Sequence, residues 1–127
     1  MDQVEEIIRS DIRYSRLLSQ ITDPPETLYC RGNISLLKST CIAVVGTRKI
    51  TPYGRETAAV IARDLAFQGF TIVSGLAMGV DAAAHAAALD AHGATIAVLG
   101  SGIDLITPIT NQLLGERILR EGGLIIS

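Results

Sequence analysis

Three short clusters combine glycine with small polar residues: Gly46-Thr47-Arg48, Ser74-Gly75-Leu76-Ala77-Met78-Gly79 and Gly100-Ser101-Gly102. Glycine lets a ligand approach the backbone closely, and the N–H groups of such turns attract anions, most of all where a helix begins. With Arg48 among them, a phosphate is the natural occupant. Other chemistries are disfavoured by the same residues. Gly46 starts no GxGxxG, and Leu105 stands where a third glycine would follow Gly100 and Gly102. There is no Walker A sequence either, so nicotinamide redox chemistry and nucleotide hydrolysis are poor fits. Ser74 and Ser101 lack the GxSxG elbow of a hydrolase nucleophile. Cys30 and Cys41 form no CxxC and have no histidine nearby, so no metal site is expected; two reduced, part-buried thiols are.

Asp81 and His85 are four residues apart and share one helix face. They suit either an acid–base pair or a helix-capping aspartate beside a structural histidine. No nucleophile or second carboxylate has a defined place beside them, which favours the second reading.

The elements that must position these turns follow from apolar periodicity. Ile42–Val45, Thr71–Val73, Thr95–Leu99 and Leu124–Ile126 are near-continuous apolar runs, as in parallel strands covered on both faces. Helical stretches are predicted over about Gly54–Gln68, Val80–His92 and Asn111–Glu121, each closed by a glycine, at Gly69, Gly93 and Gly122. Strand alternating with helix is the pattern of an α/β domain with right-handed crossovers, and it sets all three glycine turns at the carboxyl edge of one sheet. Residues 2–21 carry apolar positions at rough helical spacing, and Pro24 and Pro25 end that segment. The predicted organisation is a helical segment and linker over 1–25 and the α/β core over 26–127. No helix follows Leu124–Ile126, so the sheet is expected to be unfinished there, or that strand to be a central one paired by a partner subunit.

The chain has 127 residues, of which 48% are hydrophobic and 19% charged, a composition for one globular core and not for disorder. Aromatic residues make up 4%, too few for a platform of several stacked rings. The start is acidic where a secretory signal would be basic, and no run reaches the length of a membrane span, so a cytoplasmic protein with no membrane partner is expected. The net charge of −2 hides a polarity along the chain. Arg31, Lys38, Arg48, Lys49, Arg55 and Arg63 face only Glu56 between residues 31 and 63, a local +5 against −7 elsewhere. Such a segment is either a solvated basic surface or a footprint for an anionic partner.

The segments VVGTRKITPYG (Val44–Gly54), SGLAMGVDAAAH (Ser74–His85), TIAVLGSGID (Thr95–Asp104) and the late GGLIIS together resemble the DNA-processing protein A family, also called DprA or Smf. DPPETLYCRG, Asp23–Gly32, is similar to the stretch that precedes the core in that family. The resemblance implies an extended Rossmann-like, three-layer α/β fold, incomplete on its C-terminal side, because the 127 residues stop before the family's later segment with its FxxRN-type stretch. It implies binding of single-stranded DNA in natural transformation and recombination, with RecA and a second copy as further partners; the residues themselves offer no catalytic constellation, and neither an enzyme activity nor a cofactor is expected. Carried over by position, Arg48 would contact a phosphate, and Gly46, Thr47, Lys49, Ser74, Gly75, Gly79, Gly100, Ser101 and Gly102 would form the pocket. Tyr53, Gly54, Asp81 and His85 would support it. Met78 stands where many members carry arginine. The alternative from a different class is a nucleotide-binding enzyme of the lysine-decarboxylase-like phosphoribohydrolase group, whose PGGxGTxxE motif is absent, or a nucleotide-sensing module.

Overall fold

The four apolar runs form parallel strands in a computed structural model that describes residues 3–127. They are β3 (Cys41–Ala43), β4 (Thr71–Ser74), β5 (Thr95–Val98) and β6 (Leu124–Ile126), and they lie side by side in chain order. The connecting helices are α1 (Pro52–Phe67), α2 (Val80–Asp90) and α3 (Gln112–Arg120). Right-handed crossovers between strands taken in sequential order put all three helices on one face. Two buried clusters form beneath them. Ala62 and Ala66 of α1 meet Ala84, Ala87 and Ala88 of α2 over Ile72, and Leu89 and Ile118 cover Ala97 and Ile125. Alanine lets α1 and α2 approach closely, which suits a layer shared by three helices over short strands.

Two further strands, β1 (Glu5–Ile8) and β2 (Thr27–Gly32), make the sheet six-stranded and mixed, in the order β1-β2-β6-β5-β4-β3. The helical expectation for the N-terminal segment is therefore corrected. Residues 5–8 pair antiparallel with 27–30, and a 3-10 turn at Leu18–Gln20 is the one helical piece of that segment among the described residues. Pairing with β2 overrides the rough helical spacing, because it buries Ile7 completely, whereas a helix would have had to bury Ile12, Leu17 and Ile21, all of which stay exposed. The connection is pinned locally. Tyr14 is buried and its hydroxyl donates to Pro25 O at 2.6 Å, while Arg13 pairs with Glu5 and Asp11.

The expectation of an unfinished last strand is corrected too. β2 pairs antiparallel with β6, Cys30 opposite Ile126 and Gly32 opposite Leu124, so β6 is central and buried along its length. Its partner comes from the same chain. On the face away from the helices, Ile96, Leu124 and Ile126 are covered by Tyr14, Leu37 and their neighbours from the N-terminal segment and the 3-10 turn Ile34–Lys38. The layers are thus helices, sheet, and a thinner cover of 3-10 turns and irregular chain.

Glycine closes two of the helices as expected, with φ of +100° at Gly69 and +88° at Gly122. At the end of α2 the left-handed residue is His92, with φ +57°. Gly93 answers a different demand, since a Cβ there would lie 2.7 Å from Ala66 Cβ of α1. Cys30 is buried, which pushes its thiol up to about 11, and Cys41 is exposed; both are free thiols. No helix among the described residues is long and apolar enough to cross a membrane.

Candidate functional site

The three glycine turns lie at the carboxyl edge of β3, β4 and β5, and each is built by a different local constraint. The first, Gly46–Arg48, rests on the start of α2. Val80 N donates to Thr47 O at 3.1 Å, and a Cβ on Gly46 would come within 2.8 Å of Val80 Cγ2. Gly79, with φ +85°, is packed so closely that a Cβ there would run into Thr47 O and lie 2.9 Å from Arg48 Cα. Thr47 Oγ1 accepts from Lys49 N at 3.0 Å, which turns the chain so that Arg48 is exposed.

The second turn follows β4. Gly75 N donates to Asp81 Oδ2 at 3.0 Å, so the aspartate in the first turn of α2 both meets the positive end of that helix and holds the turn. Leu76 N donates to His85 Nε2 at 3.2 Å. The tautomer of His85 follows from its other partner. Thr95 Oγ1 gives its single proton to Ile72 O at 2.8 Å, so it accepts from His85 Nδ1–H at 2.7 Å, and Nε2 carries the lone pair. His85 is fully buried, and burial lowers its pKa from 6.5 to about 4, with the nearby Asp81 charge opposing. A neutral imidazole with both nitrogens engaged is a bracket for the turn and not a proton carrier.

Between these turns lies a cleft of about 430 Å³. Four of the residues expected at the site line it: Arg48, Gly75, Gly100 and Ser101. Ala77 and Met78 complete one lip, and Thr107 and Pro108 form the other. The last two lie just past the TIAVLGSGID segment, in a stretch where no sequence motif announced a role. Gly46, Thr47, Gly79, Asp81 and His85 stand behind the lining and hold it. Ser74 belongs with these supports, since it is buried and its hydroxyl donates to Val44 O at 2.6 Å. Lys49, Tyr53, Gly54 and Gly102 do not line the cleft. Tyr53 faces a separate shallow groove on α1 with Val60 and Ile61, and Gly54 N serves the Thr51 cap of that helix.

The electrostatics of the cleft are simple. Arg48 is the one charged residue in its lining, and among the described residues it makes no ion pair. The Ser101 hydroxyl donates to Leu105 O at 2.7 Å and accepts from Thr107 Oγ1 at 3.1 Å, so it braces the second lip. A volume of this order suits a group the size of a nucleotide, with one cation waiting for one phosphate. No carboxylate lines the cleft, and no cluster of three His, Cys, Asp or Glu able to hold a metal exists among the described residues.

The sequence profile of the family described as DNA recombination-mediator protein A matches residues 5–127, nearly the whole chain. The chain belongs to that family. It is 46% identical over 121 residues to protein Smf of Synechocystis, covering 92% of this chain and 30% of that protein. It is 44% identical over 101 residues to DNA processing protein DprA of Streptococcus pneumoniae, covering 80% and 36%. The X-ray structure of the pneumococcal DprA superimposes with a TM-score of 0.90 at 38% identity, over 98% of this chain and 44% of that one. DNA processing protein A from Helicobacter pylori, whose structure is described in terms of its unique single-stranded DNA binding mode, gives a TM-score of 0.84 at 35% identity, over 98% and 55%. The chain therefore spans well under two thirds of these DprA and Smf proteins. Within that share, the α/β architecture with its mixed six-stranded sheet is the fold of the DprA core.

Proposed function

We propose that this DprA-family chain binds single-stranded DNA through its phosphates in the cleft at the carboxyl edge of the sheet, as a binding module and not an enzyme. The observation that carries the reading is Arg48, exposed, without an ion pair and the single charged residue, among the described residues, in the lining of a cleft built by three glycine turns. The single-stranded DNA binding of the Helicobacter pylori protein supports the choice of ligand. Gly75 and Gly100 keep the walls low, so a sugar–phosphate chain can reach the guanidinium. The phosphoribohydrolase alternative calls for a carboxylate at the sugar, and none lines the cleft among the described residues. DNA processing in transformation and recombination in the cytoplasm, with RecA and a second copy as partners, belongs to the same proposal; RecA pull-down and light scattering test those partners.

Replacing Arg48 by alanine tests the site. Single strands release about 0.7 counterion per neutralised phosphate, so the log–log salt dependence of binding should flatten by roughly that amount. Affinity should fall by about 1.5–3 kcal/mol, the scale of a hydrogen bond to a charged group, and by similar amounts on different base sequences. Fluorescence anisotropy with labelled oligonucleotides reads all three. Unchanged affinity and slope, with the fold intact by circular dichroism, would remove Arg48 from the site.

A further inference from the structure

Leu76 combines two properties that seldom meet in one residue. Its side chain is fully buried in the cluster that includes Leu89, Leu99 and Ile106, while its backbone lies at φ +59°. A leucine adopts that left-handed conformation where its surroundings enforce it. Two side chains do so here. His85 Nε2 accepts from Leu76 N at 3.2 Å, and Asn111 Nδ2 donates to Leu76 O at 2.8 Å. The two clamps come from different elements. His85 is on α2 and is itself fixed by Thr95, whereas Asn111 ends the 3-10 turn Ile109–Asn111, just past the lip formed by Thr107 and Pro108. The neighbours of Leu76 in the chain, Gly75, Ala77 and Met78, form the opposite lip. The Asn111 bond thus ties one lip of the cleft to the other across 35 residues of sequence.

We propose that Asn111 and His85 are positioning residues of the cleft: by holding Leu76 left-handed they set the separation of the two lips and so the fit of a sugar–phosphate unit beside Arg48. This rests on the reading of the cleft as the strand-binding site. Neither residue is among those lining the cleft; both act through the backbone of Leu76.

The test compares Asn111→Ala, the near-isosteric Asn111→Leu and Arg48→Ala, each titrated with a labelled oligothymidylate at a temperature where all are folded. Loss of one neutral hydrogen bond should weaken binding about fivefold in both Asn111 variants. The salt slope should stay that of the parent, because the cation is untouched, whereas Arg48→Ala should lower it. The amide–Hα coupling of Leu76 in NMR spectra should move away from its left-handed value in both. Parent-like affinity in the Asn111 variants beside weakened Arg48→Ala overturns the positioning role and leaves the cleft as the binding site. Weakened binding with an unchanged Leu76 coupling overturns it as well, since Asn111 would then act by another route. An Arg48→Ala chain that binds like the parent removes both the site and this inference.

Discussion

A neutral imidazole enclosed between the Leu76 amide and the Thr95 hydroxyl gains a proton only by losing the first of those bonds and by carrying charge into the core. The consequence for stability has a definite sign. In the unfolded chain His85 titrates near 6.5, in the folded chain at about 4, so between about pH 6.5 and 4 the unfolded state binds the proton and the folded state does not. The stabilisation is whole above about 6.5, declines by about 1.4 kcal/mol per pH unit as the pH falls towards 4, and levels off below it. Urea denaturation across that window should show this slope in the parent. In His85→Gln, which is expected to be less stable throughout, the slope should shrink; equal slopes would show that His85 does not titrate as its burial requires. At this scale the sequence placed Asp81 and His85 on one helix face and stopped there, because which hydrogen-bond partner meets an imidazole depends on Thr95 and Leu76, ten and nine residues away in the chain.

Turns connect the residue to the element, and their glycines are not equivalent. Gly69 needs its positive φ to end α1, yet a Cβ there would meet nothing within 4 Å. Gly79 needs both its φ and the space, because Thr47 O and the Arg48 backbone occupy the position of a Cβ. Gly69→Ala should cost about 1 kcal/mol, the conformational penalty alone. Gly79→Ala should cost more, adding to a strain of about 1–3 kcal/mol the displacement of the Gly46–Arg48 turn, and it should weaken strand binding where Gly69→Ala does not. Denaturant melts and oligonucleotide titrations of the two variants check this. Equal penalties would mean that the first turn is not seated on α2. Both glycines stood out in the sequence, one as a helix stop and the other within a loop motif. Their different contacts did not, since the close approach of Gly79 to Thr47, 32 residues away in the chain, leaves no local signature.

For the whole molecule, the antiparallel addition of β1 and β2 to the parallel strands decides what the N-terminal segment does. Ile7 lies fully buried among Leu28, Cys30, Leu124 and Ile126, joining the first strand to the last. Ile7→Ala should destabilise the chain by about 2–5 kcal/mol, the usual cost of emptying a buried isoleucine site, within a single cooperative transition followed by circular dichroism. A transition that does not move would mean that residues 5–8 are an appendage to the core.

The parallel half of the sheet, the three helices and the glycine turns at one edge were legible because each rests on local pattern: continuous apolar runs, helical spacing closed by glycine, and right-handed crossovers that leave little choice of arrangement. The tertiary structure alone decided the rest. Glu5–Ile8 is a strand because Thr27–Cys30 offers it a ladder, and Leu124–Ile126 is central because β2 occupies the side that sequential order left open. Thr107 and Pro108 reach the cleft because the 103–111 loop folds back over it and Asn111 fastens it to Leu76. Short segments carry weak intrinsic preferences, and for them the free energy of pairing with a distant partner exceeds any local signal that the sequence displays.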